Sequence, residues 1–213
     1  MDVWNPINKQ RRGWYLDLMA PNEKGPKYAW LDPSRLYCNK EALRDCVEDL
    51  VGPFLNDSID IVAGIDGMGF ILGTAVAYRL HKGFLAIRKA GHLCVKTISQ
   101  NYTDYSGKNK ELEVRTDVIK PGIRVLIVDQ WIETGGTMNA AIALVENLGG
   151  TVAGVATICM EETAAGLSLQ KSYKCSVCIP KEIQGEFNSK CLGSFNAFQI
   201  QHEPLRNGGV GWK

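Results

Sequence analysis

Apolar and polar positions along this chain follow two rhythms, one helical and one of short unbroken runs. Ala42, Leu43, Cys46, Val47, Leu50 and Val51 recur at helical spacing, which predicts one amphipathic helix ended by Gly52-Pro53. IDIVAG, 59 to 64, reads as a first buried strand, followed by a helix over 70–82 and a second strand, GFLAIRK, over 83–89. CVKTIS and ELEVRTDVI flank a polar stretch and read as two strands joined by a long mobile loop. Val125, Leu126, Ile127 and Val128 make an unbroken apolar run, expected to be a strand buried on both faces that stops at Asp129. After it come the helix-like MNAAIALVENLGG, the strand TVAGVATICM, a short helix near 163–171 and a strand over 174–180. Alternating βα units imply an α/β fold with a mostly parallel sheet and helices on both faces. Residues 1–38 carry scattered aromatics without long periodicity, so they are expected to form a small N-terminal cap of short strands and loops, with 39–213 as the core.

Composition narrows the function classes. A chain of 213 residues with 45% hydrophobic and 22% charged residues can bury a sizeable core. A net charge of +1 provides no basic field, so nucleic acid is not expected as a partner. No apolar run is long enough for a bilayer and the N-terminus has no signal-peptide pattern, so no membrane partner and a cytoplasmic setting are expected. The seven cysteines are scattered and odd in number, and they read as small core residues. Cys175, Cys178, Cys191 and His202 could be assembled into a zinc site, but the second close pair that such sites use is missing.

The chemistry concentrates at two turns. Thr134-Gly135-Gly136-Thr137 lies between the strand ending near Asp129 and the next helix, the arrangement of an anion cradle. Backbone N–H groups and the helix dipole attract a phosphate there, the hydroxyls add donors, and glycine admits close approach. Asp129 beside it offers an acceptor for a sugar hydroxyl or a metal-bound water. A second glycine turn, Gly64-Ile65-Asp66-Gly67-Met68-Gly69-Phe70, repeats the arrangement after the first strand and offers amides for a second phosphate. Arg88 and Lys89 end the strand between them. The bland alternatives are tight turns whose glycines only relieve crowding and a solvated charge pair.

VLIVDQWIETGGT resembles the phosphoribosyl-pyrophosphate motif of type I phosphoribosyltransferases: four apolar residues, two acids, three variable residues, then Thr-Gly-Gly-Thr. The second acid is Gln130 here, which removes one negative charge near the ribose. The first glycine turn is similar to the adenine phosphoribosyltransferases' Ala-Gly-Leu-Asp-Ser-Arg-Gly-Phe, with Met68 in place of Arg. Arg88-Lys89 matches their Ile-Arg-Lys, and Asn101 to Gly107 resembles their flexible loop, with Asp104 for Glu before Tyr105. The likeness runs from Trp30 to Glu161 and is strongest to the adenine subfamily, through GFILG, IRKAG, GKNKELEV and TGGTMNAA.

That resemblance implies a purine phosphoribosyltransferase of purine salvage, converting adenine and phosphoribosyl pyrophosphate to AMP and pyrophosphate, as a homodimer. Mg²⁺ is implied as the cofactor, carried by phosphoribosyl pyrophosphate with no metal held directly by the protein. It puts the 5′-phosphate on Thr134, Gly135, Gly136 and Thr137, and ribose hydroxyls on Asp129 and Gln130. Pyrophosphate falls to Asp66, Gly67, Met68, Gly69, Arg88 and Lys89, and the covering loop brings Tyr105. The purine falls to Ala29 and Trp30 in a hood formed by the cap. Asp104 takes the place of the loop carboxylate; Glu133 stands where hypoxanthine-guanine enzymes carry an Asp that exchanges a proton with purine N7, and otherwise only complements a helix end. Glu133, Asp104 and Arg88 are therefore the expected catalytic groups. Gln130, Met68 and Asp104 also leave a second expectation, a catalytically weakened sensor or partner subunit that binds phosphoribosyl pyrophosphate or a nucleotide.

Overall fold

Strand β3 (Ile61–Ile65) is the pivot of the architecture, because the chain leaves it in one direction and returns to its other side later. The computed structural model describes residues 13–21, 31–104 and 106–180. They fall into two compact units, a larger one over Arg44–Ile179 and a smaller one that includes 13–21 and 31–43.

In the smaller unit a 3-10 turn (Trp14–Leu18) precedes a two-stranded antiparallel pair, β1 (Ala20–Pro21) and β2 (Leu31–Asp32), and a one-turn helix, α1 (Ser34–Tyr37). Asp32 sets the start of that helix: its carboxylate accepts from the Ser34 amide at 3.0 Å and the Ser34 hydroxyl at 2.6 Å. Trp14 and Tyr15 are buried and meet edge to face, with ring centroids 6.3 Å apart. Asn39 Oδ1 accepts from the amides of Glu41 and Ala42, capping the helix α2 (Lys40–Val51), which ends before Gly52-Pro53 as its spacing predicts.

The larger unit is built on seven strands in the order β5-β6-β4-β3-β7-β8-β9. These are β3, β4 (Gly83–Lys89), β5 (Thr97–Thr103), β6 (Asn109–Arg115), β7 (Arg124–Ile132), β8 (Thr151–Met160) and β9 (Cys175–Val177). β4, β3, β7, β8 and β9 run parallel, while β6 joins β4 antiparallel and β5 joins β6 antiparallel. The crossover from β3 to β4 passes through α3 (Met68–Arg79) and moves one way across the sheet. Those from β7 to β8 and β8 to β9, through α4 (Gly136–Asn147) and α5 (Ala164–Ser172), move the other way. Crossovers of one hand moving in opposite directions put their helices on opposite faces.

Side-chain alternation agrees. Ala63, Ile65, Val125 and Ile127 pack with Ala141, Leu144 and Val145 of α4 and Leu169 of α5 in one core. On the other face Gly64 meets α3: a Cβ on Gly73 would lie 3.2 Å from the Gly64 Cα, and one on Gly64 would lie 2.4 Å from the Gly69 carbonyl oxygen. That contact lets α3 lie against the sheet at backbone distance.

Two elements depart from the sequence expectation. β7 continues through Ile132 rather than stopping at Asp129, because β8 stays beside it and pairs Trp131 with Cys159 and Ile132 with Met160. The apolar run ends where β3 ends, since β3 pairs with β7 only as far as Val128. The polar stretch after Cys94 is also more ordered than a long loop. β5 and β6 pair from Thr97↔Arg115 to Thr103↔Asn109, leaving a short turn. An edge hairpin satisfies its backbone without needing apolar side chains on both faces.

Candidate active site

The reversal of strand order lies between β3 and β7, where α3 and α4 diverge to opposite faces. In open α/β sheets such a point opens a crevice beyond the carboxyl ends of the strands. Both glycine turns lie there. A Cβ on Gly69 would sit 2.7 Å from the Val128 carbonyl oxygen and 3.4 Å from Asp129 Oδ1, so the first turn of α3 rests directly on the end of the β3–β7 pairing.

Asp129 keeps part of its surface open, but its carboxyl group is surrounded by protein, and burial pushes it up to about 7 against the opposing bond from the Gln130 amide (2.7 Å). Gln130 follows it, also part-exposed. Thr134 is exposed, and Gly135 caps α4 in the left-handed region at φ 74°, where L side chains are strained. A Cβ on Gly136 would fall 2.2 Å from the Thr103 carbonyl oxygen, so the end of β5 lies against the cradle. Tyr102, beside it, shares a hydrogen bond with the Thr137 side chain, and burial raises its hydroxyl above the usual range.

On the other side, Asp66 and Gly67 are joined by a cis peptide and Met68 is exposed. Asp66 Oδ2 lies 3.5 Å from Arg88 Nε. Arg88 also donates Nη1 to the His92 carbonyl at 3.2 Å and stacks 5.9 Å from the Phe70 ring centroid. Lys89 is exposed at the end of β4.

The two candidate carboxylates differ sharply. Asp104 is buried in the β5–β6 turn: it is ion-paired with Lys110, accepts from the Ser106 amide (2.8 Å) and hydroxyl (2.6 Å), and accepts from the Lys108 amide (3.1 Å). Lys110 and those donors hold its carboxyl far below the usual range. Glu133 is half-buried, and burial raises its carboxyl. Its carbonyl accepts from the Thr163 hydroxyl at 2.9 Å, and Thr163 also caps α5 by accepting from the Gly166 amide at 3.1 Å.

Three contributors had no signal in the sequence pattern. Trp131 Nε1 donates to Glu161 Oε1 at 2.7 Å, fixing a carboxylate near Glu133. Burial raises Glu161, the Trp131 bond opposes this, and the Glu133 charge adds to the rise. Lys110 holds Asp104, as described. Glu113 is buried on β6, and the polar alternation of ELEVR gave no reason to expect a charge inside. Burial acts to raise its carboxyl, but bonds from the amides of Leu93, His92 and Gly91 and the Thr97 hydroxyl outweigh it, leaving the group below its usual value. Ala29, Trp30 and Tyr105 lie outside the described residues.

Among the described residues, no three or more His, Cys, Asp or Glu side chains group as a metal site, and no helix is long and apolar enough to cross a membrane. Residues 35–191 match the family model for a phosphoribosyl transferase domain. An adenine phosphoribosyltransferase of Neisseria meningitidis is 47% identical over 118 residues, 55% of this chain and 62% of that protein, so the match stops short of two thirds of its length. One from Jannaschia is 43% identical over 127 residues, 60% of this chain and 70% of that protein. Among solved structures, an adenine phosphoribosyltransferase from Rhodothermus marinus superposes with a TM-score of 0.65 at 35% identity, covering 75% of this chain and 91% of that one. The Giardia lamblia enzyme, solved with 9-deazaadenine, gives 0.68 at 29% identity, covering 76% and 91%.

Proposed function

The chain belongs to the phosphoribosyltransferase family, with adenine phosphoribosyltransferases as its relatives, and we propose that it transfers the phosphoribosyl group of phosphoribosyl pyrophosphate to adenine, releasing pyrophosphate and forming AMP in purine salvage. The observation that carries this is the packing of Gly69, in the first glycine turn, against Val128 and Asp129 at the end of β7, the strand that leads into the second glycine turn, so that both turns and one acceptor lie at the switch point of the sheet.

The amides at 134–137 take the 5′-phosphate, assisted by the dipole of α4. Asp129 and the Gln130 side chain accept from or donate to ribose hydroxyls. The turn Asp66-Gly67-Met68-Gly69 with Arg88 and Lys89 takes the pyrophosphate, which Mg²⁺ accompanies as part of the substrate and partly neutralises. Adenine N9 forms its bond to C1′ as the C1′–oxygen bond to pyrophosphate breaks, the electron pair leaving with pyrophosphate. The proton lost from the imidazole edge goes to Glu133, whose carboxyl burial makes a better proton acceptor than an exposed glutamate. Asp104, charged and occupied by Lys110, instead holds the turn between β5 and β6. The protein's share is orientation, charge stabilisation and exclusion of water.

We further take the protein to act in the cytoplasm as a homodimer. In support of the dimer, Met68, Ile71 and Tyr78 expose apolar side chains along α3, and Tyr78 is 84% exposed. Incubation with Mg²⁺, phosphoribosyl pyrophosphate and a panel of purines, followed by mass detection of nucleotide, tests the reaction, and sedimentation tests the dimer. AMP from adenine is expected. No nucleotide with any base, combined with retained phosphoribosyl-pyrophosphate binding, would instead establish a sensor or partner subunit, the reading that Gln130 favours.

A further inference from the structure

Glu113 is 4% exposed, stands directly opposite Arg88 in the antiparallel β4–β6 pairing, and so projects from the same face of the sheet. Its carboxylate nevertheless reaches past Arg88 to the turn leaving β4. It accepts from the amides of His92 and Leu93, both at 2.7 Å, and from the Thr97 hydroxyl at 3.3 Å. The His92 carbonyl, on the peptide that follows one of those amides, accepts Arg88 Nη1 at 3.2 Å. On its other edge the guanidinium has a looser hold. Arg88 Nε is buried, 3.5 Å from Asp66 Oδ2, and makes no hydrogen bond among the described residues.

A carboxylate placed inside a strand pairing costs desolvation, and here every strong contact it makes goes to one turn. Among the described residues, that turn supplies the one carbonyl that accepts from the guanidinium. We propose that Glu113 is a positioning residue for Arg88: by pinning residues 92 and 93 it fixes the His92 carbonyl, which orients the guanidinium so that its remaining N–H groups face the leaving pyrophosphate. This rests on the reading that Arg88 binds pyrophosphate, and the test separates the two. A planar donor set is effective only when its orientation is set in advance.

The experiment compares full-length wild type with Arg88→Gln, Glu113→Ala, Glu113→Gln and the double variant Arg88→Gln/Glu113→Ala. The readouts are the Kd of inorganic pyrophosphate with Mg²⁺, KM for each substrate, and Tm. Glu113→Ala is expected to weaken pyrophosphate about tenfold, the worth of one charge-assisted hydrogen bond. It should raise KM for phosphoribosyl pyrophosphate similarly and leave KM for adenine within about twofold. Glu113→Gln keeps an oxygen for both amides and should restore affinity to within about threefold of wild type. The double variant should bind no more weakly than Arg88→Gln alone, because the second change acts through a group already removed. Additive losses, or a fall in Tm with both KM values moving together, would overturn the positioning role. Unchanged pyrophosphate affinity in Arg88→Gln would overturn the reading of Arg88 itself. Should Glu113→Ala not fold, Glu113→Asp, which withdraws the carboxylate by one methylene, takes its place in the same comparison.

Discussion

Gly69 and Asp129 touch across the switch point of the sheet, with room for no more than a hydrogen between the glycine Cα and the Val128 carbonyl oxygen. One missing side chain thus joins the turn proposed for pyrophosphate to the acceptor proposed for ribose. Gly69→Ala is expected to destabilise the fold by about 1–3 kcal/mol, the usual cost of overpacking, and to weaken phosphoribosyl pyrophosphate more than adenine. Denaturant unfolding and the two KM values check this; wild-type values in both would remove the contact from the site's design.

Asp129 gives the protein a pH signature. Its ordinary value is 3.8 and its folded value about 7. Below about 3.8 the group is protonated in folded and unfolded chains alike. Between the two values only the unfolded chain releases the proton, so the stability contributed by the neutral form is lost as pH rises through about 7. Asp129→Asn should abolish this component, so the variant gains stability relative to wild type as pH rises from about 3.8 to about 7, with no further gain above that. It should also weaken phosphoribosyl pyrophosphate at pH 8 by about 1.5–3 kcal/mol, the scale of a charged hydrogen bond. Parallel stability–pH curves for the two proteins would show that the carboxyl is not buried as described.

Proton handling separates Glu133 from Asp104. Glu133→Gln is expected to lower kcat by roughly 10²–10⁴-fold with little change in phosphoribosyl-pyrophosphate affinity. Asp104→Asn should leave the chemical step within a few-fold, and instead loosen the turn held by Lys110, Ser106 and Lys108. Single-turnover rates and proteolysis at the turn distinguish them. A large kcat loss confined to Asp104→Asn would reverse the assignment.

The indole of Trp131 has one polar task, its bond to Glu161. Trp131→Phe should cost about 0.5–1.5 kcal/mol. Because the bond holds Glu161 down, the cost should be greatest above its titration and shrink as acid protonates the carboxyl. Urea midpoints at two pH values measure it, and a cost that grows toward acid would contradict the bond.

Periodicity located strands that have a neighbour on both edges with little error: GFLAIRK and TVAGVATICM are β4 and β8 to the residue. It failed where a strand has one neighbour. β7 loses β3 after Val128 and needs no apolar residue there, so its last turn of pairing reads as a loop. The helix start at 134–137 was legible because Gly135 takes the left-handed region there, which favours glycine. Asp104 was not, because the same carboxylate can serve a substrate or cap its own turn, and only the placement of Lys110 and Ser106 decides. Glu113 escaped notice because its partners are backbone amides, which every residue carries.

The β5–β6 hairpin has its two strands anchored in different places. Thr103 and Tyr102 of β5 rest on the start of α4, while β6 is tied to β4 and the residues just after it, through the register pairs Arg88↔Glu113 and Lys89↔Leu112 and the bond from the Ala90 amide to the Glu111 carbonyl. Arg88 and Lys89 are also the two cations proposed for the pyrophosphate, so the strand that carries them is the strand to which the hairpin is paired. Under the proposed function, one hairpin thus joins the two anion sites of the substrate, its β5 edge resting on the start of α4 and its β6 edge on the end of β4.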